Sequence, residues 1–504
     1  MKNPKPLTLF AIAILTSCGV NKPISIDQKG ADVFPCSEKE GSAETTMGDV
    51  MPFYDDGVMN IYHLRNVSGT NSLFYHPIAR ISSPDLIHYQ NDGVALNYEE
   101  SFTSIDAALG TGSFIKGKEG EYHCFYTGHN GKVHDADFGD KSLTHMEAIR
   151  HAVSHDGQKT WEKDEDFLIF GGKDDFRDPY VYWDAASEKY QMLVTTRDID
   201  TDEPVIRRYE ASSLSARPYE WENRGNFFVN DEGAYNMECP SYLEYNGFQY
   251  LAYSEQGANR VTHYRYRRSS SEPWQRFGRD AIDSAGFYAG RLEKMEDRLY
   301  AFAWCARLTG GNTGDFDWGG NLVSHELKQN PDTGELNPVM PHTYKEYFSH
   351  PVDYALGDGK FEFSGEKFEA KAIGKNSDNA TRFSMKIKIA EDKGDFGLTF
   401  GIAGQLHNRM GDGTLTFNVA KKKISCHNNV SNVLRFGPEL TSVAYPFELD
   451  KDYDVDLIVN GELYSVYLNG EVAMTARLTN MPGKNIAFYS NGAKASITEV
   501  KAYE

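Results

Sequence analysis

From about residue 50 to about residue 345 no stretch holds a helical period; short strand-like runs follow one another instead, each cut off by Gly, Asp, Asn or Pro. Residues 122–127, 148–153, 190–195 and 250–253 are such runs, and Asp92-Gly93, Asp156-Gly157 and Asn246-Gly247 are hairpin signals between them. A chain patterned this way can bury its apolar side chains only as sheets. The 30 Tyr, 29 Phe and 45 Gly favour strands and tight turns over helices, and the fold class read from the sequence is all-β.

Within this region a loose feature recurs, Ser followed by Pro-Asp or Asp-Gly and then Tyr or Trp, at residues 82–89 and again at 154–161. Four-stranded units of about 60 residues would divide residues 41–345 into the five blades of a β-propeller. A sandwich or a larger barrel is the other way to bury such strands. A length of 504 residues exceeds what one core usually serves, so a second domain is expected. Its signature is the strict alternation of Phe383, Met385, Ile387 and Ile389 with polar residues, and again around residues 464–468, which a C-terminal two-sheet sandwich over residues 350–504 requires.

The N-terminus carries Lys2 and Lys5, a short apolar run over residues 7–15, then Leu15-Thr16-Ser17-Cys18. That is a secretory signal, too short for a permanent bilayer span, and it ends like a bacterial lipoprotein cleavage box. Residues 1–18 are therefore expected to be a signal peptide with Cys18 as the lipidated residue, followed by a linker over residues 19–40, with the protein anchored in the bacterial cell envelope. The other cysteines, Cys36, Cys124, Cys239, Cys305 and Cys426, form no Cys-x-x-Cys pair and are an odd number, which argues against a zinc site and a dense disulfide framework. A net charge of −21 excludes a nucleic-acid partner, and a neutral glycan suits it better. No cofactor or metal is expected, and the protein is expected to be a monomer.

Three acids stand in unusual settings: Asp49 in Gly-Asp-Val-Met-Pro-Phe, Asp178 in Phe-Arg-Asp-Pro and Glu238 in Met-Glu-Cys-Pro. Pro179 and Pro240 fix the backbone beside two of them. A cleft lined by carboxylates, one ionised and one protonated, is the minimum apparatus for breaking a glycosidic bond.

These motifs resemble those of glycoside hydrolase family 32, the β-fructosidases. The resemblance extends to Thr111-Gly112-Ser113-Phe114 followed by Phe125-Tyr126-Thr127-Gly128, to Phe287-Tyr288-Ala289 preceded by Asp283, to Trp318-Gly319-Gly320-Asn321-Leu322, and to Val466-Tyr467-Leu468-Asn469-Gly470. It implies a five-bladed propeller with a C-terminal sandwich and a retaining hydrolase of β-fructosyl links in levan, inulin or sucrose-like sugars. Asp49 would be the nucleophile, Glu238 the acid/base and Asp178 the residue that binds fructose hydroxyls and stabilises the transition state. Arg177, Ser113, Tyr288, Trp318, Phe53 and His63 would bind substrate. Cys239 is expected to pack behind the acid/base.

The sequence departs from the family at the nucleophile, where Gly48 precedes Asp49 and the proline arrives only at Pro52. The glutamine usual on the next strand has no counterpart in Ile61-Tyr62-His63-Leu64-Arg65, and His63 stands in that space. Two other readings use the same features: a family 43-like propeller acting on arabinose- or xylose-containing glycans with inversion, and a lipoprotein that binds glycan without cleaving it.

Overall fold

The computed structural model describes residues 31–36, 45–67, 74–135, 138–139, 141, 143–230, 232–257, 260–309, 315–377, 379–402, 410–429, 437–478 and 484–504. The expected Cys18 anchor and most of the linker lie outside the described residues.

Five antiparallel units follow one another. The first is built from Thr45–Asp55, Val58–Val67, Ile78–Ser83 and Gln90–Leu96. The second uses Ala108–Lys116, Tyr122–His129, Glu147–Ser154 and Glu162–Lys163. The third uses Arg177–Asp184, Lys189–Arg197, Pro204–Ala211 and Glu222–Val229. The fourth has Asn236–Tyr245, Phe248–Gln256 and Thr262–Arg267, with single bridges from His263 to Ala281 and from Tyr266 to Gln275 in place of a fourth strand. The fifth has Tyr288–Met295, Arg298–Thr309, Asp315–Gln329 and Leu336–Val339. These are the blades of a β-propeller. The ring closes where Met47 of blade one pairs with Gly320 of blade five, which merges those blades into one sheet.

Two turns illustrate how local chemistry sets the strands. Asn246 and Gly247, with φ of 45° and 80°, join two paired strands in a two-residue hairpin, as their residue types predict. Asp92-Gly93 behaves otherwise. It lies inside the strand Gln90–Leu96, where the register slips between Arg80 and Ile81, so this Asp-Gly pair makes a bulge and no hairpin.

Beyond the short helix His342–Tyr347 the chain forms two six-stranded sheets. The strand Thr381–Ile389 alternates buried and half-buried residues throughout, and Phe383, Ile387 and Ile389 join Phe396, Leu398, Phe400, Leu415 and Leu457 in the core between the sheets. The sandwich is tied to the propeller through buried polar groups. Asp283 Oδ1 accepts from the Thr475 N–H at 2.9 Å and Asp283 Oδ2 lies 2.8 Å from His325 Nε2, whose ring also reaches Tyr467. Arg477 Nε donates to the Ala306 carbonyl at 2.8 Å. Asp283, read above as part of a sequence motif, is therefore an inter-domain anchor.

Among the described residues Cys36, Cys124, Cys239, Cys305 and Cys426 are in no disulfide, and all but Cys36 are buried. No described helix is long and apolar enough to cross a membrane.

Candidate active site

Each blade's first strand carries one extra residue near its start. The ladder to the second strand skips between Gly48 and Met51, Gly110 and Gly112, Arg177 and Tyr180, Glu238 and Ser241, and Tyr288 and Arg291. An inserted residue interrupts pairing and re-aims the side chains around it. In four of the five blades the residue that follows the last paired one has positive φ although it is not glycine: Asp49 at 37°, Asp178 at 58°, Cys239 at 54° and Ala289 at 55°. Such backbone costs about 1–3 kcal/mol per residue and persists only where the surroundings impose it. Pro179 and Pro240 fit because a proline has no N–H to lose from a ladder already interrupted.

Aligning the bulges sorts the site into two layers. One layer is Gly48, Gly110, Arg177, Glu238 and Tyr288, and the next is Asp49, Thr111, Asp178, Cys239 and Ala289. Neighbours within each layer bond across blades. In the first, Arg177 Nη2 donates to Glu238 Oε1 at 3.0 Å, and the Tyr288 hydroxyl donates to Glu238 Oε2. In the second, Thr111 Oγ1 donates to Asp49 Oδ2 at 2.7 Å, and the Cys239 N–H donates to Asp178 Oδ2 at 2.9 Å. The three acids from blades one, three and four thus come together at one end of the propeller.

Their environments differ. Asp49 receives a second donor, Trp304 Nε1, at 3.1 Å from Oδ1. An indole N–H can only donate, so this oxygen must accept, which suits an ionised carboxylate. Burial, and then the charge of Glu238, push the Asp49 pKa above the ordinary range, while Thr111, Trp304 and Arg291 pull it back. Burial lifts Asp178 to about 6 against the pull of Arg177. Glu238 is also raised, by burial first, with Arg177 opposing and Asp178 adding. Its side chain keeps 16% of its surface, so it can exchange a proton with a group arriving from solvent. Arg177 is in turn held by Asp175 at 2.7 Å and by Gln256 at 3.2 Å.

A circuit of side chains begins and ends at Trp304. Trp318 lies 5.8 Å from Trp304, and His76 stacks on Trp318 at 4.1 Å. Tyr75 meets His76 edge-on at 4.4 Å and lies 6.4 Å from the ring of His129. His129 pairs with Glu147 at 3.7 Å, and Glu147 with Arg177 at 3.4 Å. Arg177, Glu238 and Tyr288 return it to Trp304, whose ring Tyr288 meets at 5.5 Å. Burial, helped by His129, drives His76 down to about 3, so the ring stacked on Trp318 is neutral at ordinary pH. Arg260 lies over Tyr288, 4.8 Å from its ring centroid.

Of the residues singled out in the sequence, Asp49, Asp178, Glu238, Arg177, Tyr288 and Trp318 belong to this assembly. Ser113, Phe53 and His63 are placed differently. Ser113 Oγ accepts the Val181 N–H at 3.0 Å, a strut between blades two and three; the hydroxyl that reaches Asp49 is Thr111. Phe53 packs beside Tyr122 at 6.1 Å, against the core between blades one and two. His63 is buried opposite the blade-one bulge, with Nδ1 3.4 Å from the Ile61 carbonyl on its own strand. Thr111, Trp304, Tyr75, His76, His129 and Glu147 were not singled out. Thr111 had a readable signal, since it stands in the quoted Thr-Gly-Ser-Phe motif, whereas Trp304 is placed by its cross-strand pairing with Tyr288, which only the folded sheet reveals.

A family model described as the glycosyl hydrolases family 32 N-terminal domain matches residues 51–322. The chain belongs to glycoside hydrolase family 32. A levanbiose-producing levanase of Bacillus subtilis is 25% identical over 278 residues, covering 51% of this chain and 46% of that protein. A protein of the same name from Geobacillus stearothermophilus is also 25% identical, with 60% of it covered. The chain spans about half the length of the curated relatives it matches. Among solved structures, a family 32 β-fructofuranosidase of Bombyx mori superposes with a TM-score of 0.65 at 17% identity, covering 92% of this chain and 93% of the other. The fold shared across that span is the family 32 propeller with its sandwich.

Proposed function

We propose that the protein hydrolyses β-fructosyl links with retention, using Asp49 as nucleophile and Glu238 as acid/base. The observation that carries this is the pairing of two unlike carboxyls. Burial raises both, but Asp49 is held by two neutral donors, Thr111 and Trp304, whereas Glu238 is bonded to Tyr288 and to Arg177 and keeps 16% of its side-chain surface. In the reaction Asp49 attacks the anomeric carbon, Glu238 gives its proton to the leaving oxygen, and water then cleaves the fructosyl-aspartate with Glu238 as base. Asp178 and Arg177, facing the same place, would hold the ring hydroxyls through the change of charge.

Fructan of the levan type is the favoured substrate, supported by the names of the matched relatives and by the aromatic stretch Trp304, Trp318, His76 and Tyr75 beside Asp49. The test is to offer the protein levan, inulin, sucrose and arabinan, and to follow the first product by NMR. Release of fructose or short fructans with the starting anomeric configuration is expected. Cleavage of arabinan alone, or initial inversion, would refute the proposal, and binding without turnover would support the non-catalytic reading. Asp49→Asn keeps the shape and removes the attacking charge, so folding should persist while turnover falls by several orders of magnitude.

We further infer that Cys18 is lipidated and the protein monomeric, on the strength of Leu15-Thr16-Ser17-Cys18 for the anchor. The full chain should then partition into detergent and Cys18→Ala should not; light scattering should give one chain per particle.

A further inference from the structure

One buried cation stands apart from the contacts above. Arg291 lies on the first strand of blade five, where its ladder resumes after the bulge, opposite Phe302. It is 1% exposed. Its Nη1 donates to the Gly112 carbonyl of blade two, and its guanidinium lies 5.7 Å from the ring centroid of Tyr180 in blade three. In a ring of five, blades two and three are the pair opposite blade five. A side chain rooted in one and touching both others must cross the propeller axis. Gly112 and Tyr180 each follow the bulge of their own strand, one and two residues beyond Thr111 and Asp178. The guanidinium therefore sits on the axis one step inside the layer that holds Asp49 and Asp178.

Burying an arginine without a counter-ion is costly. Arg291 is in no ion pair among the described residues, and its Nε and Nη2 have no hydrogen-bond partner there. A neutral side chain could hold Gly112 equally well, so the bond alone does not account for the charge. What does is the group of carboxyls just above it.

We propose that Arg291 is a positioning residue, whose charge on the propeller axis keeps Asp49 and Asp178 ionised while Glu238 retains its proton. Its electrostatic pull acts on Asp49 and Asp178, whereas the leading influences on Glu238 are burial, Arg177, Asp178 and Tyr288. The asymmetry is what a division of roles between the acids needs. Cys239 also faces these carboxyls and is driven well above its ordinary value by burial, while Tyr180, raised by burial and then by Glu293, faces Arg291. Neither supplies positive charge.

This inference rests on Asp49 being the nucleophile, and two readouts separate the claims. The first is the pH dependence of levan hydrolysis for Arg291→Gln, Arg291→Met and Arg291→Lys, each checked for folding by circular dichroism. The acid limb of kcat/KM should move up by about one pH unit or more in the neutral variants, a tenfold or greater loss at pH 5 that shrinks as pH rises. It should stay near the wild-type position in Arg291→Lys. An equal loss at every pH, or a limb displaced as far in Arg291→Lys as in Arg291→Gln, would overturn the proposal. The second readout needs no substrate: protein labelled with 13C at aspartate carboxyls, with the Asp49 and Asp178 signals identified through Asp49→Asn and Asp178→Asn. Their titrations should rise in Arg291→Gln, and unchanged titrations refute the role of Arg291 even if no fructan is cleaved. Absence of fructan hydrolysis with shifted titrations would count against the proposed function alone.

Discussion

Trp304 Nε1 lies 3.1 Å from Asp49 Oδ1, although 255 residues separate the two. Trp304 is fully buried and pairs with Tyr288, the residue bonded to the other acid of the site, so one cross-strand pair touches both ends of the proposed chemistry. The rigid ring fixes the carboxylate where a freely rotating aspartate would sample several rotamers.

Trp304→Phe keeps most of the ring and removes the donor. A hydrogen bond to a charged group is worth about 1.5–3 kcal/mol, so kcat/KM should drop by about 10–100-fold. With that donor lost, Asp49 should protonate more readily and the acid limb of the rate profile should rise. Thr111→Val, which removes the donor to Oδ2, should do the same. Variants with wild-type limbs and wild-type kcat/KM would show that these bonds do not hold the nucleophile.

The two acids are separable by leaving group. Glu238→Gln removes the proton donor and leaves Arg177 and Tyr288 with an amide of the same shape. Turnover of levan should collapse, whereas an aryl fructoside with an acidic leaving group needs little protonation and should lose far less. Exogenous azide should partly rescue the second step. Equal losses on both substrates would argue against general acid catalysis at Glu238.

The alternation around Phe383, the turn at Asn246-Gly247 and the three acids were legible in the sequence because each depends on local chemistry. Period-2 patterning fixes a face, Asn-Gly favours positive φ, and proline marks an interrupted ladder. The bulges were not legible, since the positive-φ positions are held by Asp49, Asp178, Cys239 and Ala289, not by glycine. That omission explains Ser113. In an unbroken strand residues 111 and 113 share a face, but the extra residue between Gly110 and Gly112 flips the parity, turning Thr111 toward Asp49 and Ser113 toward Val181. His76 comes from outside the motif strands, and His129 ends one of them just past the quoted Gly128, in contexts that no local pattern marks.

Gly48 offers a test of the departure from the family pattern. A Cβ built there would lie 2.2 Å from Trp318 Cη2, so Gly48→Ala must displace the indole or the bulge. Displacing Trp318 breaks its stack with His76, which should raise KM for levan more than it lowers kcat and change Trp fluorescence. A fall in kcat at constant KM would instead place the disturbance at Asp49.

Away from the site, His123 and His151 stack in blade two with Nδ1 of the first 2.8 Å from Nε2 of the second. Burial, helped by His123, lowers His151 to about 3, well below the value near 6.5 of an unfolded chain. The sign follows: the neutral ring suits the fold, so its contribution is complete above pH 6.5 and is lost as pH falls from 6.5 toward 3, because the unfolded chain takes up the proton first. Phe125 and Phe167 flank His151 at 4.6 and 5.2 Å, so His151→Phe can occupy the same space without titrating. At pH 7.5 the variant should be less stable by about 1 kcal/mol, the worth of the lost hydrogen bond. The stability difference should then shift in the variant's favour by about 1.4 kcal/mol per pH unit between pH 6 and pH 4, read from paired urea unfolding curves. Parallel curves at all pH values would mean that His151 takes up its proton as readily in the folded blade as in the unfolded chain.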